Sequence, residues 1–518
     1  MSKRSFGISK GLFTIDDFMR SSFFKLFRFI AYPNPGALRV FNFANREDYL
    51  FLPEMLSVKR HIYFETISFF FLVIILVATS LYSIYHFFDI APLIVVSAAI
   101  ALFYFLLMLF KLFVVYKSFS GTVLDFSDEE IAVLKDEELP VYTILIPLYQ
   151  EAEVIMQIKQ AMCAIDYPKE KLDIIITLEE YDHETITAIH KAELPPYFKT
   201  LILPNVKPKT KPKALNVAFL KTVGEYLVIY DAEIVPEPDQ LKKAYLAFKK
   251  NPELGSVQTR LDHYNANQTL ITKLFNTEFS FHYDLFLPGL DHLGLPIPLS
   301  GHSTHFKREV LSHIGAWDPY NVTEDCDVGM RLHRLGYKTA LINSLSFEEA
   351  TSTWKPWLYQ RTRWMKGFIQ TAIVHLRHPF KFMEEIGGLW NFIAFIFIVP
   401  GTVIVNVLNL AYWFIFTLWL LTHSTLIQNF FPGPVLYMSA VSFIVGNFIF
   451  TYLNLLGAYK RDRFDLVKYS LLSPIYWIML AIASLRACVQ IIHKPHAWEK
   501  TRHGDHMKKG ELFSIQTP

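Results

Sequence analysis

The chain has 518 residues, of which 52% are hydrophobic, 16% aromatic and only 19% charged. Soluble domains carry about 25% charge, so this composition excludes a purely soluble protein and also a disordered one. The formal net charge of +2 excludes a general polyanion binder, and no nucleic-acid partner is expected. Three cysteines, Cys163, Cys326 and Cys488, are too few for a disulfide framework, and their spacing fits no zinc site.

Along the chain the apolar mass falls into blocks. Residues 1–60 hold ten Lys/Arg against five Asp/Glu and lack the order of charge, apolar run and small residues that marks a signal peptide. The basic, Phe-rich stretch 18–32 suits a membrane-surface helix or a packing helix. Segments 66–85 and 92–110 carry no charged residue, and each approaches the roughly 20 residues that a helix needs to cross a bilayer. Residues 386–459 contain no Asp, Glu, Lys or Arg, which predicts two spans near 390–421 and 434–456, the first interrupted at Pro400-Gly401. A further window, 469–485, is short, contains Pro474 and lies between Lys468 and Arg486. Placing the basic N-terminus and the 460–468 loop on one side makes it an interfacial or re-entrant helix, with a fifth span as the alternative. The expected organisation is a basic membrane-surface segment 1–60, a two-span hairpin 61–116, a globular domain with interfacial helices at its end 117–378, two spans 379–460, the interfacial helix 461–492, and a loop and tail 493–518.

The globular insert alternates short apolar runs (141–148, 173–178, 200–203, 226–230) with amphipathic stretches (151–164, 212–223). This predicts a mostly parallel sheet with helices on both faces, and ligands in such sheets bind beyond the carboxyl ends of the strands. The residues there are Tyr149 and Glu151, Glu179 and Glu180, a lysine run containing Lys211 and Lys213, and Asp231 with Glu233. A lysine run alone reads as a solvated face and Asp-x-Glu as a turn. Together at one sheet edge they suit a diphosphate bound with Mg2+ or Mn2+. No P-loop, dinucleotide fingerprint or Gly-x-Ser-x-Gly elbow is present. Thr323 followed by Glu324, Asp325 and Asp327 reads as a helix N-cap with an acidic first turn, either a plain cap or a reacting group.

Asp231-Ala232-Glu233, Thr323-Glu324-Asp325 and Gln360-Arg361-Thr362-Arg363-Trp364, in this order between apolar blocks, resemble the Asp-x-Asp, Thr-Glu-Asp and Gln-x-x-Arg-Trp motifs of the processive membrane glycosyltransferases of family 2. That group includes cellulose, hyaluronan, chitin and exopolysaccharide synthases, and the resemblance covers about residues 60–510. It implies an α/β GT-A fold, Rossmann-like with a mostly parallel sheet, as a cytosolic domain inserted between α-helical transmembrane hairpins. It also implies an inverting enzyme of the bacterial inner membrane that extends a β-linked polysaccharide from a UDP-sugar with Mg2+ or Mn2+ and passes it outward. The implied partners are the donor, the growing glycan and membrane lipid, with a homo-oligomer or a regulatory or export partner left open. Residue by residue, Asp325 is the base, beside Glu324 and Thr323. Tyr149 stacks on the uracil, Glu151 and Glu179 accept from its edge or the ribose, and Lys211 and Arg363 face the diphosphate, with Lys213 as an extra candidate. Asp231 and Glu233 serve the metal, Glu233 reaching one methylene further than the usual Asp. Gly301, His302 and Ser303 lie in the acceptor loop, Gln360 meets the acceptor end, and Trp364 forms a sugar-stacking floor, its plain alternative being an interface anchor. Trp498, Lys500 and Thr501 fall in a gating segment. Two rivals stand beside this reading: a non-processive enzyme making a glycolipid, and a transporter with a nucleotide-binding domain.

Overall fold

In the computed structural model, β1 (Tyr142–Leu148), β2 (Leu172–Glu179), β3 (Phe198–Leu203) and β4 (Tyr226–Ile229) arise from the four apolar runs. Their side chains alternate between two apolar layers, as the period of a strand demands. Tyr142, Ile144, Ile146 and Leu148 of β1 join Ile174 and Ile176 of β2 and Val228 of β4 in one layer. Leu145, Ile175, Leu227 and Ile229 point into the other. Burial on both faces is why β1, β2 and β4 read as unbroken apolar runs, whereas β3, at the sheet edge, exposes several positions. The structure describes residues 49–59, 75, 77–83, 85–86, 92–121 and 123–500. These belong to the unit Phe43–Pro518; a separate unit, Met1–Asn42, lies outside the described residues, and so does most of the predicted membrane-surface segment.

Four more strands complete one sheet: β5 (Val235–Pro236), β6 (Leu254–His263), β7 (Thr304–Lys307) and β8 (Lys338–Glu348), in the order β3-β2-β1-β4-β7-β6-β8-β5. The fold is thus the expected GT-A type, but the sheet is more mixed than "mostly parallel" suggests. The pairs β1/β2, β1/β4, β2/β3 and β6/β8 are parallel, whereas β7 runs antiparallel to both β4 and β6, and β5 antiparallel to β8. The reversal of β7 matters for the site. It puts the loop that enters β7, residues 296–303, at the edge where β1, β4, β6 and β8 end.

Helices cover the sheet and extend from it. Those used below are α1 (Pro92–Ser118), α2 (Lys211–Phe219), α3 (Leu270–Phe281), α4 (Glu324–Arg334), α5 (Trp354–Leu376), α6 (Pro400–Thr422), α7 (Gly446–Lys460) and α8 (Ser473–His493). Among the described residues four helical stretches are long and apolar enough to cross a membrane: Pro92–Ser118, Pro400–Thr422, Gly433–Lys460 and Phe464–His493. The expected break falls between the short apolar helix Leu389–Ile398 and α6, at Val399 just before Pro400. The segment 66–85 lies largely outside the described residues; its described positions 75, 77–83 and 85 are helical. The stretch 464–493, expected as interfacial, has a length and composition that also admit a span.

Candidate active site

The predicted donor residues meet at the carboxyl edge of the sheet. Tyr149 and Glu151 follow β1, Glu179 ends β2, and Asp231 and Glu233 follow β4, all lining one cavity. The turn after β1 is pinned by Asp182, whose carboxylate accepts from Gln150 N–H at 2.5 Å while Gln150 holds a positive φ of 55°. Lys211 begins α2, and its ammonium stands 2.5 Å from Asp231 and donates to Gly301 O at 2.8 Å. Burial would depress the Lys211 ammonium, but Asp231 and Glu324 outweigh it and hold it above its ordinary value. Lys213, the extra diphosphate candidate, is fully buried beneath the floor, 3.4 Å from Glu179. It orients Glu179 and does not face the cavity, because the helical turn carries it to the opposite side from Lys211.

Glu324 and Asp325 start α4 deep in the cavity wall. Burial raises the titration of both carboxyls above the ordinary range, and for Glu324 the neighbouring Asp325 charge adds to the rise, while Lys211 and Arg363 oppose it. Asp325 Oδ1 accepts from Cys326 N–H at 2.8 Å. Its Oδ2 lies only 2.9 Å from where a Cβ would sit on Gly301, so the glycine leaves the carboxylate room toward the cavity. Thr323 sits at the N-cap position as expected, yet its hydroxyl makes no cap bond and has no hydrogen-bond partner. The reason is the neighbouring helix: α5 passes so close at Gly367 that a Cβ there would lie 2.6 Å from Thr323 Cβ.

Helix α5 carries Gln360, Arg363 and Trp364 to the same cavity. The Trp364 ring stacks on Phe279 at 6.2 Å, and the Arg361 guanidinium sits 4.4 Å from it. Arg361, which sequence reasoning passed over, is a buried anchor that pairs with Glu278 and donates to Tyr476 Oη at 2.8 Å. Gln360 accepts from Thr351 Oγ1 at 3.5 Å. Arg363 donates to Val322 O at 3.5 Å, with its guanidinium 4.5 Å from the Trp498 ring. The segment leading to Trp498 is fastened to α5, since Lys366 donates to Ala497 O at 2.8 Å and Gln370 to Pro495 O at 2.9 Å. Lys500 then pairs with Glu151 at 2.9 Å and donates to Gln150 O at 2.9 Å. The segment thus reaches the predicted donor residue Glu151; Thr501 lies outside the described residues.

A second cluster joins the predicted His302 to two residues that sequence reasoning missed, His263 and Glu348. Glu348 ends β8 and is the register partner of His263, which ends β6. Its carboxylate stands 3.1 Å from His263 Nε2 and 3.0 Å from His302 Nε2. Burial would depress the His302 imidazole, but Glu348 outweighs it and holds it above its ordinary value. No predicted strand led to either residue, and His263 and Glu348 are far apart in the chain.

The described residues contain no group of three or more His, Cys, Asp or Glu poised to hold a metal. Asp231 and Glu233 still fit Mg2+ or Mn2+. Asp231 already holds a cation, the Lys211 ammonium, and such ions are bound by one or two carboxylates plus substrate phosphate oxygens.

The cavity measures about 670 Å3 and is continuous from these acids past Trp364 to the apolar helices. There its wall includes the amides of Asn406 and Asn409 of α6 and of Asn447 and Asn454 of α7.

Comparison with known proteins shows what this chain is similar to. Residues 226–455 match the family model described as Glycosyl transferase family group 2, a region that holds β4 to α7 with Asp231, Asp325 and the Gln360–Trp364 motif. The probable glycosyltransferase YdaM of Bacillus subtilis (strain 168) is 28% identical over 253 residues, which are 48% of this chain and 60% of that protein. The chain therefore spans about three fifths of that curated relative. Among solved structures, the mannosyltransferase PcManGT from Pyrobaculum calidifontis, in complex with GDP-Man and Mn2+, aligns at 16% identity with a TM-score of 0.47, covering 77% of this chain and 99% of that one. S. aureus TarS 1-349 aligns at 11% identity with a TM-score of 0.34, covering 70% of this chain and 97% of that one.

Proposed function

We propose that this protein is an inverting, processive glycosyltransferase that uses a UDP-sugar to extend a β-linked polysaccharide and passes the product across a membrane between its own helices. The observation that carries the reading is the single cavity joining Asp325 to helices long enough to span a bilayer. Its far wall carries four asparagines among apolar residues such as Leu107, Val405, Phe450 and Leu480. Each of these amides is bonded within the helix bundle, for instance Asn406 to Ser484 and Asn454 to Ser473, and each has further hydrogen-bonding capacity that a hydroxyl-rich glycan can meet.

In the reaction, Asp325 accepts the proton of the acceptor hydroxyl as that oxygen attacks the anomeric carbon. The bond from that carbon to the diphosphate oxygen breaks, and the configuration inverts. Lys211 and Arg363 offset the charge that develops on the departing diphosphate. A divalent ion held by Asp231 and Glu233 would add to that neutralisation. Trp364 gives the apolar face of the terminal sugar a flat surface.

The test is to incubate membranes with radiolabelled UDP-sugars and Mg2+ or Mn2+, then size the product and locate it relative to sealed vesicles. Polymer in the lumen supports the reading. A lipid carrying one sugar would sink processivity, and the absence of transfer from every donor would sink the enzyme reading itself.

A further inference from the structure

Helix α1 divides its surface in two. Leu102, Leu106, Leu109 and Phe113 are exposed on one side. Tyr104, Leu107, Met108 and Lys111, at helical spacing, line the cavity from the other. A lysine in a helix long enough to span a bilayer is costly and marks a partner or a path. The ordinary alternative is a lysine that reaches out to the headgroups. Lys117 of the same helix fits that description, with its ammonium over the exposed rings of Phe113 and Tyr116. Lys111 does not, because it lies about 9 Å further along the axis and on the cavity side. It is half-buried, and its ammonium stands 5.7 Å from the centre of the Phe450 ring on α7. Among the described residues it donates no hydrogen bond and forms no ion pair.

Nothing nearby balances this charge. The acid that acts on Lys111 is Glu278 of α3. Its carboxylate is already committed, since Arg361 pairs with it through both terminal nitrogens and Tyr476 Oη donates to it at 2.9 Å. His282, in the turn after α3, lines the same stretch. Burial, and then the cations Arg361 and Lys111, push its imidazole down to about 4, so it is neutral at ordinary pH. Further along, Thr402 and the four asparagines of α6 and α7 carry no charge. Among the described residues, the helix-lined part of the cavity thus holds one cation in excess.

Its place on the path is also defined. The Arg361 guanidinium lies 4.4 Å from the Trp364 ring and holds Glu278, and Glu278 acts on Lys111. Phe450, under the ammonium, lies between Asn447 and Asn454 on the cavity wall of α7. Lys111 therefore follows Trp364 on the side away from the donor residues.

We propose that Lys111 is a subsite for a carboxylate carried by the glycan as it leaves Trp364 and enters the helix-lined path, so that the product is an acidic polysaccharide. This rests on the glycosyltransferase reading and deepens it by naming the class of polymer. The ammonium has three protons to offer a carboxylate, and the asparagine amides can meet the hydroxyls of neighbouring sugars. A lipid phosphate has a similar charge, but it would have to arrive from the side where α1 shows Leu106 and Leu109, whereas the cavity reaches Lys111 from Trp364.

The test uses the full-length protein in discs of zwitterionic lipid and two matched sets of short β-linked glucan chains. One set is neutral, and in the other the primary hydroxyls are oxidised to carboxylates. Wild type should bind the carboxylated chains about tenfold more tightly, the scale of one charge-assisted hydrogen bond. K111Q should lose that preference and K111R keep most of it, while both bind the neutral chains as wild type does, which shows that the fold is intact. The proposal is overturned if wild type shows no preference for the carboxylated set, or if the preference survives in K111Q. A lipid source would appear as anionic phospholipid enriched around the protein only when Lys111 is present, with both glucan sets bound equally, and that result also overturns the carboxylate. Neutral chains bound without preference sink this inference and leave the glycosyltransferase reading standing. Should neither set bind and wild type transfer no sugar, the functional reading falls first.

Discussion

Replacing Asp325 by Asn isolates the base, because the substitution is nearly isosteric and the structure assigns the two carboxylate oxygens different surroundings. Oδ1 accepts from Cys326 N–H at 2.8 Å, a bond that the Asn carbonyl can keep. Oδ2 is the oxygen beside Gly301, open to the cavity, and it loses its charge and its ability to accept a proton. Ground-state contacts survive, so the loss belongs in kcat and not in donor KM. Removing a general base costs about 10²–10⁴-fold, which at about 1.36 kcal/mol per decade is roughly 3–5 kcal/mol of transition-state stabilisation. The variant should also be the more stable protein when free of ligand. The wild-type pair titrates above its unfolded range, so its contribution to stability is complete at pH below the unfolded carboxylate value and is lost as pH rises through the folded one. D325N removes one of the two buried charges, and its melting temperature should exceed that of wild type at pH 8, with the gap closing toward pH 4. Initial rates from radiolabelled donor and melting curves across pH check both halves. A variant that keeps more than a tenth of wild-type kcat, or that melts below wild type at pH 8, would refute the assignment of Asp325 as a buried base.

Trp364→Ala should shorten the product while leaving UDP affinity unchanged, because the ring packs on Phe279 and Arg361 and not among the donor residues; gel sizing and UDP titration decide it. Gly367→Ala should cost about 1–3 kcal/mol of stability by overpacking against Thr323, and should lower kcat because the shift is passed to the first turn of α4; thermal unfolding and rate assays report the two effects. Chelation should abolish transfer and Mn2+ or Mg2+ restore it, and Glu233→Asp should retain far more activity than Glu233→Ala, since either carboxylate can supply an oxygen ligand.

The parts of the fold that were legible in the sequence are those whose burial is uniform. β1, β2 and β4 bury apolar residues on both faces, and nothing in their local chemistry competes with that pattern. β6 was not legible, because its sequence is rich in polar residues that are buried all the same. Ser256 bonds Thr339 at 2.7 Å, and Gln258 accepts from Thr304 at 2.7 Å and from Ser300 N–H at 3.0 Å. Such side chains satisfy one another only once the strands are adjacent, so they read as a loop until the partners are known. The same reason hid β7, four residues long, and with it the reversal that delivers His302 to the site. The candidate site divides in the same way. The acids and Lys211 stood out because each follows a legible strand or opens a helix. Glu348, His263 and Arg361 act through partners distant in the chain, and Lys213 changed role because a helix places alternate positions on opposite sides.

The polarity of the site explains why so many charges can be buried together without a ligand present. Four acids facing the cavity have a cation of this chain within reach: Lys211 on Asp231 and Lys500 on Glu151, with Arg363 acting on the Glu324–Asp325 pair. A donor diphosphate would compete with the carboxylates for Lys211, and a nucleobase would compete with Lys500 for Glu151. Freed carboxylates would then require a replacement cation, which a divalent ion arriving with the diphosphate provides. The ligand-free contacts thus resemble a set of stand-ins for the ligand. Donor binding should exchange one ionic arrangement for another of similar charge, which keeps the desolvation cost of occupying the cavity low.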